Sequence, residues 1–392
     1  MRNTDGHVRV AAVQQPPVFL DRAATVERAR ELIREAGENG ADLIAFPETY
    51  LPGYPGYYTP GVEADAGEQA EYLLALRENA VRVPEDVGGL ADAAAEAGAV
   101  VVIGCNEVDD RPGSDTLYNT NLVFDADGRL VGRHRKLVPT FTERVYWGRG
   151  DDADLVFETA VGRVGTLVCW ENHMPLARAA AVRRGERFHV CNWPGSWGSG
   201  ERHLEPERST DSDVFPAVRE QAFAANAFAV SAHAVLDPAE VPDEWRHLFE
   251  SDRANADWAC GGSCVVDPFG SVVAGPVFDD RTVLYHDCDL DKRRLAAFEF
   301  DQPGHYARDD VFDLSVRDAD GPSGSAGVGG ATEVPGAGGP GGVTDEQVAA
   351  VAERLGEDPA RVREIAAALR ESTGKDGTGD GTGSADGGET GQ

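Results

Sequence analysis

Lysine is nearly missing from this 392-residue sequence: only Lys136, Lys292 and Lys375 occur among 36 basic residues, the rest being arginine, against 68 aspartates and glutamates. The formal net charge of −32 excludes a polyanionic partner, because gripping a phosphate backbone takes clustered cations. No nucleic acid is expected. Long apolar runs are also missing. None approaches the roughly 18 apolar residues of a membrane span, and MRNTDGHVRV has no apolar stretch behind its charges to act as a secretion signal. A cytoplasmic protein with no membrane partner is expected. Cysteine is scarce: Cys105, Cys169, Cys191, Cys260, Cys264 and Cys288 sit in a chain long enough to build its core without disulfide staples. They are expected as reduced thiols. Cys260 and Cys264 form a C-x3-C pair, yet no second pair or histidine cluster completes a tetrahedral set, so no metal is expected. No repeat of solenoid length is visible.

An acidic, lysine-poor surface repels itself in dilute buffer and is screened in concentrated salt. The bias reads as salt adaptation, and it makes each remaining lysine informative. Composition shifts near residue 319. From Gly321 to Gln392 there are 19 glycines in 72 residues, in runs such as PGAGGPGG, which lack the apolar surface to offset the entropy of ordering. A Gly-rich linker over 319–342 and a disordered tail over 374–392 are expected. Between them, 343–373 carries a capping box at Thr344 to Gln347, an Asp358-Pro359 helix start, and apolar stripes at Val348, Val351, Leu355 and Val362, Ile365, Leu369. This predicts a helical hairpin.

Upstream, short β-rich runs alternate with helical patterns. VRVAAVQ, DLIAFPE, AVVVIGCNE, RVGTLVC, FHVCNW, FAVSAHAV and TVLYHDCDL read as strands. Helices are expected over Thr25 to Ala36, around Gly67 to Arg77, over Leu176 to Arg184 and over Val214 to Ala227. Two hairpins are expected, one turning at Asp127-Gly128 and one at Asp267 to Gly270. The sum is an α/β domain over 5–318.

Candidate chemistry collects at strand ends. Cys169 closes the apolar run RVGTLVC and is followed by Pro175 and a helix, so its sulfur is expected near a helix N-terminus that favours a thiolate. The other five cysteines lie inside strand-like runs, where a small buried hydrophobe is the ordinary role. The nine histidines are dispersed and supply no recognisable partner base; His173 flanks the cysteine without a fixed direction. Glu48 ends DLIAFPE just before a turn-rich loop, where either a catalytic carboxylate or a solvated loop residue fits. Lys136, retained beside apolar and aromatic residues, is suited to stabilise a developing anion and to hold the thiol charged. Glu143, seven residues on, is a catalytic candidate that either holds Lys136 in place or relays protons, the alternative being a surface pair with Arg144 or Arg149.

FPETYLPGYP, HRKLVPTFTERVYWGRG and CWENHMPLAR together resemble the three catalytic motifs of the nitrilase, or carbon–nitrogen hydrolase, superfamily, in its order and approximate spacing. GGSCVVDPFGSVVAGP and DQPGHYARDDVF resemble its later segments, so the likeness covers nearly all of 5–318. It implies a four-layer αββα sandwich with a flexible C-terminal extension, a homodimer or larger homo-oligomer, and no cofactor. The residues after Cys169, Trp170-Glu171-Asn172 and Met174-Pro175-Leu176, resemble the nitrilase branch. The likeness therefore implies hydrolysis of an organic nitrile to a carboxylic acid and ammonia through a cysteine thioimidate and thioester. Glu48 would be the base, Cys169 the nucleophile, and Lys136 with the Trp170 backbone N–H the stabilisers of the adduct, with Glu143 in support. An amidase or carbamoylase, or a cyanide-hydrolysing enzyme, shares the same catalytic residues, and a non-catalytic assembly module is a further reading. Tyr50, Tyr54, Tyr57, Tyr58, Trp147, Trp193 and Trp197 lie near the strand ends. Among them Tyr54 and Trp193, with Trp170 and Glu171 beside the nucleophile, are expected to contact the small-molecule nitrile.

Overall fold

The computed structural model describes residues 6–57, 66–150, 154–195, 214–249, 259–316 and 360. The chain divides into two compact units, Met1–Val328 and Gly329–Gln392. Of the second unit only Ala360 is described, and it is helical; the linker, hairpin and tail expected from 319 onward otherwise lie outside the described residues.

Within the first unit the chain runs β1 (His7–Gln14), α1 (Arg22–Glu38), β2 (Leu43–Ala45), α2 (Ala66–Asn79), α3 (Gly88–Ala97), β3 (Val100–Val108), β4 (Leu117–Phe124) and β5 (Leu130–Arg135). It continues through β6 (Val156–Thr159), β7 (Gly162–Val168), α4 (Pro175–Arg183), β8 (Phe188–Trp193), α5 (Val214–Ala225) and β9 (Phe228–His233). The last elements are α6 (Asp243–Phe249), β10 (Gly261–Val266), β11 (Val272–Phe278), β12 (Thr282–Asp289) and α7 (Asp291–Glu299). Among the described residues the strands form two six-stranded mixed sheets, ordered β12-β1-β2-β3-β4-β5 and β11-β10-β9-β8-β7-β6.

Alternation along the strands explains the layering. On β1, Val8, Val10 and Ala12 join Val100, Val102 and Val123 against Val164, Phe188, Val190, Phe228 and Val230 of the other sheet, forming the core between the sheets. The opposite faces of the same strands, with Ala11, Val13, Ile44, Val101 and Ile103, pack on Ala29, Leu32, Ile33, Leu90 and Ala94 of α1 and α3. The outer face of the second sheet, with Val168, Cys191, Ala229 and Val266, packs on Val214, Phe215, Val218 and Ala222 of α5. The result is the expected α–β–β–α sandwich. Each wholly buried Val, Leu, Ile or Phe in these layers contributes about 1.5–3 kcal/mol. Among the described residues no helix is long and apolar enough to cross a membrane.

The two predicted hairpins turn where expected: Gly128 and Gly270 take positive φ, and their N–H groups bond Asp125 O and Asp267 O at 2.8 Å each. Helix α1 starts three residues earlier than its stripe, because the Asp21 side chain caps it by accepting from Ala24 N. β2 is shorter than the apolar run DLIAFPE, stopping at Ala45, so Glu48 lies in the turn beyond the strand. Strand β6 and helices α3, α6 and α7 were not expected from the sequence. The stretch GGLADAAAEA of α3 opens on two glycines and is mostly alanine, so its stripe is too weak to read, though four of its residues are buried.

Candidate active site

Three loops at one end of the sandwich bring the sequence-predicted residues together. Glu48 follows β2 in a turn where Thr49 has φ 42°. Gly104 on β3 permits that turn, because a Cβ there would overlap Thr49 N and Pro47 O. Lys136 follows β5 directly, and its backbone is tied to the neighbouring strand β4 by the Lys136 N–H to Asn119 O bond of 2.8 Å. Cys169 follows β7 and opens a short 3-10 turn, Cys169–His173, ahead of α4. Its φ of 55° puts a non-glycine residue in the left-handed region.

Lys136 is wholly buried. Its Nζ donates to Glu48 Oε1 at 2.9 Å and to Glu143 Oε2 at 2.7 Å. Glu143, on the 3-10 turn Phe141–Val145, also accepts from Thr140 N at 2.6 Å and from the Tyr54 hydroxyl at 2.8 Å. It does not use Arg144 or Arg149. Glu48 Oε1 takes a second donor, Asn119 Nδ2 at 2.6 Å, whereas the buried Glu48 Oε2 has no hydrogen-bond partner. One carboxylate oxygen of Glu48, one of Glu143 and Cys169 Sγ lie within 4.8 Å of one another. Among the described residues these three alone group as metal ligands would, but the Lys136 ammonium already sits between the two carboxylates. A protein-borne cation thus occupies the place where a metal would bridge them.

The electrostatics follow from burial and proximity. Burial pushes Glu48 up to about 7, with Lys136 pulling down and Glu143 pushing up. Burial opposes the charge on Lys136, yet Glu143 and Glu48 outweigh it and hold the ammonium well above the usual lysine range. The Cys169 thiol is raised well above the usual range, first by burial and then by Glu48, while Lys136 and the Trp170 backbone N–H pull downward. This corrects the expectation of a resting thiolate: two flanking carboxylates and burial outweigh one ammonium and one N–H. The thiol rests protonated, beside a carboxyl group of nearly neutral pKa.

The substrate-contact expectations divide. Tyr54 is buried beside the charges, its ring 5.7 Å from that of Trp147. Trp193 is wholly buried at the end of β8, in one apolar cluster with Cys169, and stacks on His233 at 5.8 Å. Trp170 packs on His173 at 5.4 Å, and His173 meets Trp193 edge-on at 6.4 Å, so His173 lies between the two indoles. Glu171 has both oxygens engaged: its Oε1 accepts from Leu137 N at 2.6 Å, and its Oε2 from Val168 N at 2.9 Å and lies 3.0 Å from His134 Nε2. Its carboxylate joins the lysine loop to the cysteine strand. Tyr50 lies in the helix-side core, while Tyr58, Trp197 and the Tyr57 side chain lie outside the described residues.

The carbon–nitrogen hydrolase family profile matches residues 9–298. The chain belongs to the carbon–nitrogen hydrolase family. Within it the chain stands in the nitrilase branch. It is 38% identical over 315 residues to an aliphatic nitrilase of Sinorhizobium fredii (strain HH103), covering 79% of this chain and 95% of that one. It is 33% identical over 322 residues to a bifunctional nitrilase/nitrile hydratase of Lupinus angustifolius, covering 79% and 86%. The crystal structure of a carbon–nitrogen hydrolase from Helicobacter pylori G27 superposes with a TM-score of 0.59 at 20% identity, over 76% of this chain and 94% of that chain; this shared fold is the αββα sandwich. In the present hydrolase, sequence reasoning missed Asn119, Asn172 and His134. One signal was available: LYNTNLVF places Asn119, Thr120 and Asn121 inside a strand that is buried throughout, where unpartnered polar groups are costly.

Proposed function

We propose that this hydrolase is a nitrilase, converting an organic nitrile to its carboxylic acid and ammonia, with Cys169 as nucleophile, Glu48 as general base and Lys136 as electrostatic stabiliser. The observation that carries the reading is Glu48 Oε2, buried, unpartnered and on a carboxylate grouped with Cys169 Sγ. Oε1 is held by Asn119 and Lys136, which leaves Oε2 as the acceptor for the thiol proton. As the sulfur bonds the nitrile carbon, one C–N π bond opens and the nitrogen takes the proton from Glu48, giving a thioimidate. The Lys136 ammonium and the Trp170 N–H stabilise the charge that develops. Glu48 then takes a proton from water, whose oxygen adds to the same carbon, and returns it to nitrogen; the new hydroxyl next passes its own proton through Glu48 to that nitrogen, and as the C=O bond forms the C–N bond breaks and ammonia leaves. The thioester that remains is hydrolysed by a second water, restoring the thiol and releasing the acid.

Glu143 holds Lys136 in place and, through Oε1, fixes Tyr54 as one wall of the pocket. Trp170 and Trp193 supply further aromatic surface beside the sulfur. The acidic bias favours a salt-rich cytoplasm, and the family resemblance favours a homodimer or larger assembly. An ammonia-release panel of nitriles and matching amides, run on the full chain in concentrated KCl with free amide also quantified, tests the reading. Faster turnover of amides than of nitriles would replace it with an amidase.

A further inference from the structure

A second buried charged pair, unused by the chemistry above, lies in the same sheet as the nucleophile. His189 on β8, wholly buried, pairs in register with Gly165 on β7. Its Nδ1 is 2.8 Å from Glu186 Oε2 and its Nε2 is 2.9 Å from Asn172 Oδ1. Glu186 Oε1 accepts from Gln221 Nε2 of α5. The absence of a side chain at Gly165 makes room for this carboxylate, since a Cβ there would overlap Glu186 Oε2. Asn172 in turn donates from Nδ2 to Leu167 O at 3.1 Å and to Cys169 O at 2.9 Å.

The direction of the bonds through Asn172 is fixed by chemistry. Two backbone carbonyls can only accept, so Asn172 must turn its NH2 toward them and its Oδ1 toward His189. Oδ1 can only accept, so His189 Nε2 must carry a proton, while Nδ1 faces Glu186 Oε2. Burial alone would lower His189, but Glu186 outweighs it, with Cys191 adding to the same side, and the ring is raised to about 10. Arg293, which donates to Glu186 O at 3.4 Å, is the cation that faces the pair. The carbonyl at the end of this chain belongs to the residue at φ 55°, a conformation costing about 1–2 kcal/mol for a residue with a Cβ. Something must hold it there.

We propose that His189 is a positioning residue for Cys169: its Nε2–H fixes Asn172, and Asn172 Nδ2 then holds the Leu167 and Cys169 carbonyls so that the sulfur at the end of β7 stays grouped with Glu48. His189 acts on Cys169 through the Asn172 amide alone. The inference rests on Cys169 being the nucleophile, so its readout must not depend on the substrate.

The experiment compares the full-length chain with His189→Leu and His189→Gln. The rate of Cys169 alkylation by iodoacetamide is followed by intact mass, with Cys169→Ala as blank, beside kcat and KM for a nitrile. Gln keeps an N–H for Asn172 Oδ1 and Leu does not. The expectation is that His189→Leu slows alkylation and lowers kcat by about 100-fold with KM little changed, as a displacement of about 1 Å would, and that His189→Gln recovers most of both. Equal loss in the two variants, or wild-type alkylation in His189→Leu, overturns the proposal. If the variants do not fold, 15N-histidine spectra of the unmodified chain decide: an Nε2 of His189 without its proton at neutral pH overturns it, a protonated one supports it. A chain inert to nitriles whose alkylation still follows the His189 series would refute the nitrilase reading and leave this inference standing.

Discussion

Replacing Lys136 with methionine tests the centre of the site. The side chain is wholly buried and its ammonium bridges Glu48 Oε1 and Glu143 Oε2 at 2.9 and 2.7 Å. Methionine fills the stem's volume but removes the charge, leaving two buried carboxylates face to face. Removing one partner of such a pair costs about 3–5 kcal/mol. The sign of the pH dependence follows from Glu48, already raised from 4.5 to about 7 and held from rising further by Lys136. Without the lysine its folded value climbs, so the folded state binds the proton more tightly than the unfolded chain does. The penalty is then full above that raised value and disappears as the pH falls toward 4.5. Urea unfolding of the full chain at alkaline and mildly acidic pH is expected to show a deficit against wild type that is large in the first and small in the second. Turnover at neutral pH is expected to fall by about 10²–10³-fold or more, because the adduct loses its stabiliser and Glu48 is protonated. Lys136→Arg separates charge from shape. A planar guanidinium exceeds the space of a compact ammonium, so it is expected to recover part of the alkaline stability and little of the turnover. A stability deficit independent of pH, or near-normal turnover in either variant, would refute this electrostatic account.

Three further outcomes are expected. Cys169→Ala abolishes ammonia release while circular dichroism stays native, since none of the other five cysteines is grouped with Glu48 and Glu143; residual turnover in folded protein would move the nucleophile elsewhere. Glu143→Gln removes a negative charge that raises Glu48, so the base ionises more readily and the acidic limb of the kcat/KM profile moves below about 7; an unmoved limb would exclude Glu48 as the titrating base. Thermal unfolding across KCl concentrations should show stabilisation by salt in the full chain and in a chain ending at residue 320. Residues 321–392 carry 12 acidic and 5 basic residues, a net −7, which leaves −25 of the −32 on the remainder; stability indifferent to salt would remove the salt-adaptation reading.

The parts of this fold that the sequence announces are those set by local chemistry. The Asp-Gly turn at Gly128 and the strand-to-helix junction at Cys169 each rest on a few consecutive residues, and both are where the pattern puts them. What escaped is set by contacts distant in the chain. Antiparallel pairing of β12 with β1, Cys288 opposite Val8, leaves no mark on either strand. Helix α3 hides because its alanines matter only once Gly37 of α1 lies against Ala97, where a Cβ at Gly37 would come within 2.6 Å of the alanine side chain. In the site, Glu48, Lys136 and Cys169 are visible as chemically distinctive residues at strand ends. Their supports are not, because the meaning of Asn119, Asn172 or Glu171 depends on which atom each faces. Glu171 shows the difference most clearly: beside the nucleophile in sequence it reads as a substrate contact, yet its two oxygens bind Leu137 N and Val168 N, joining the Lys136 loop to the Cys169 strand across 34 residues of chain. Proximity in sequence marked the loop, and only the direction of the hydrogen bonds shows that this carboxylate ties the Lys136 loop to the Cys169 strand.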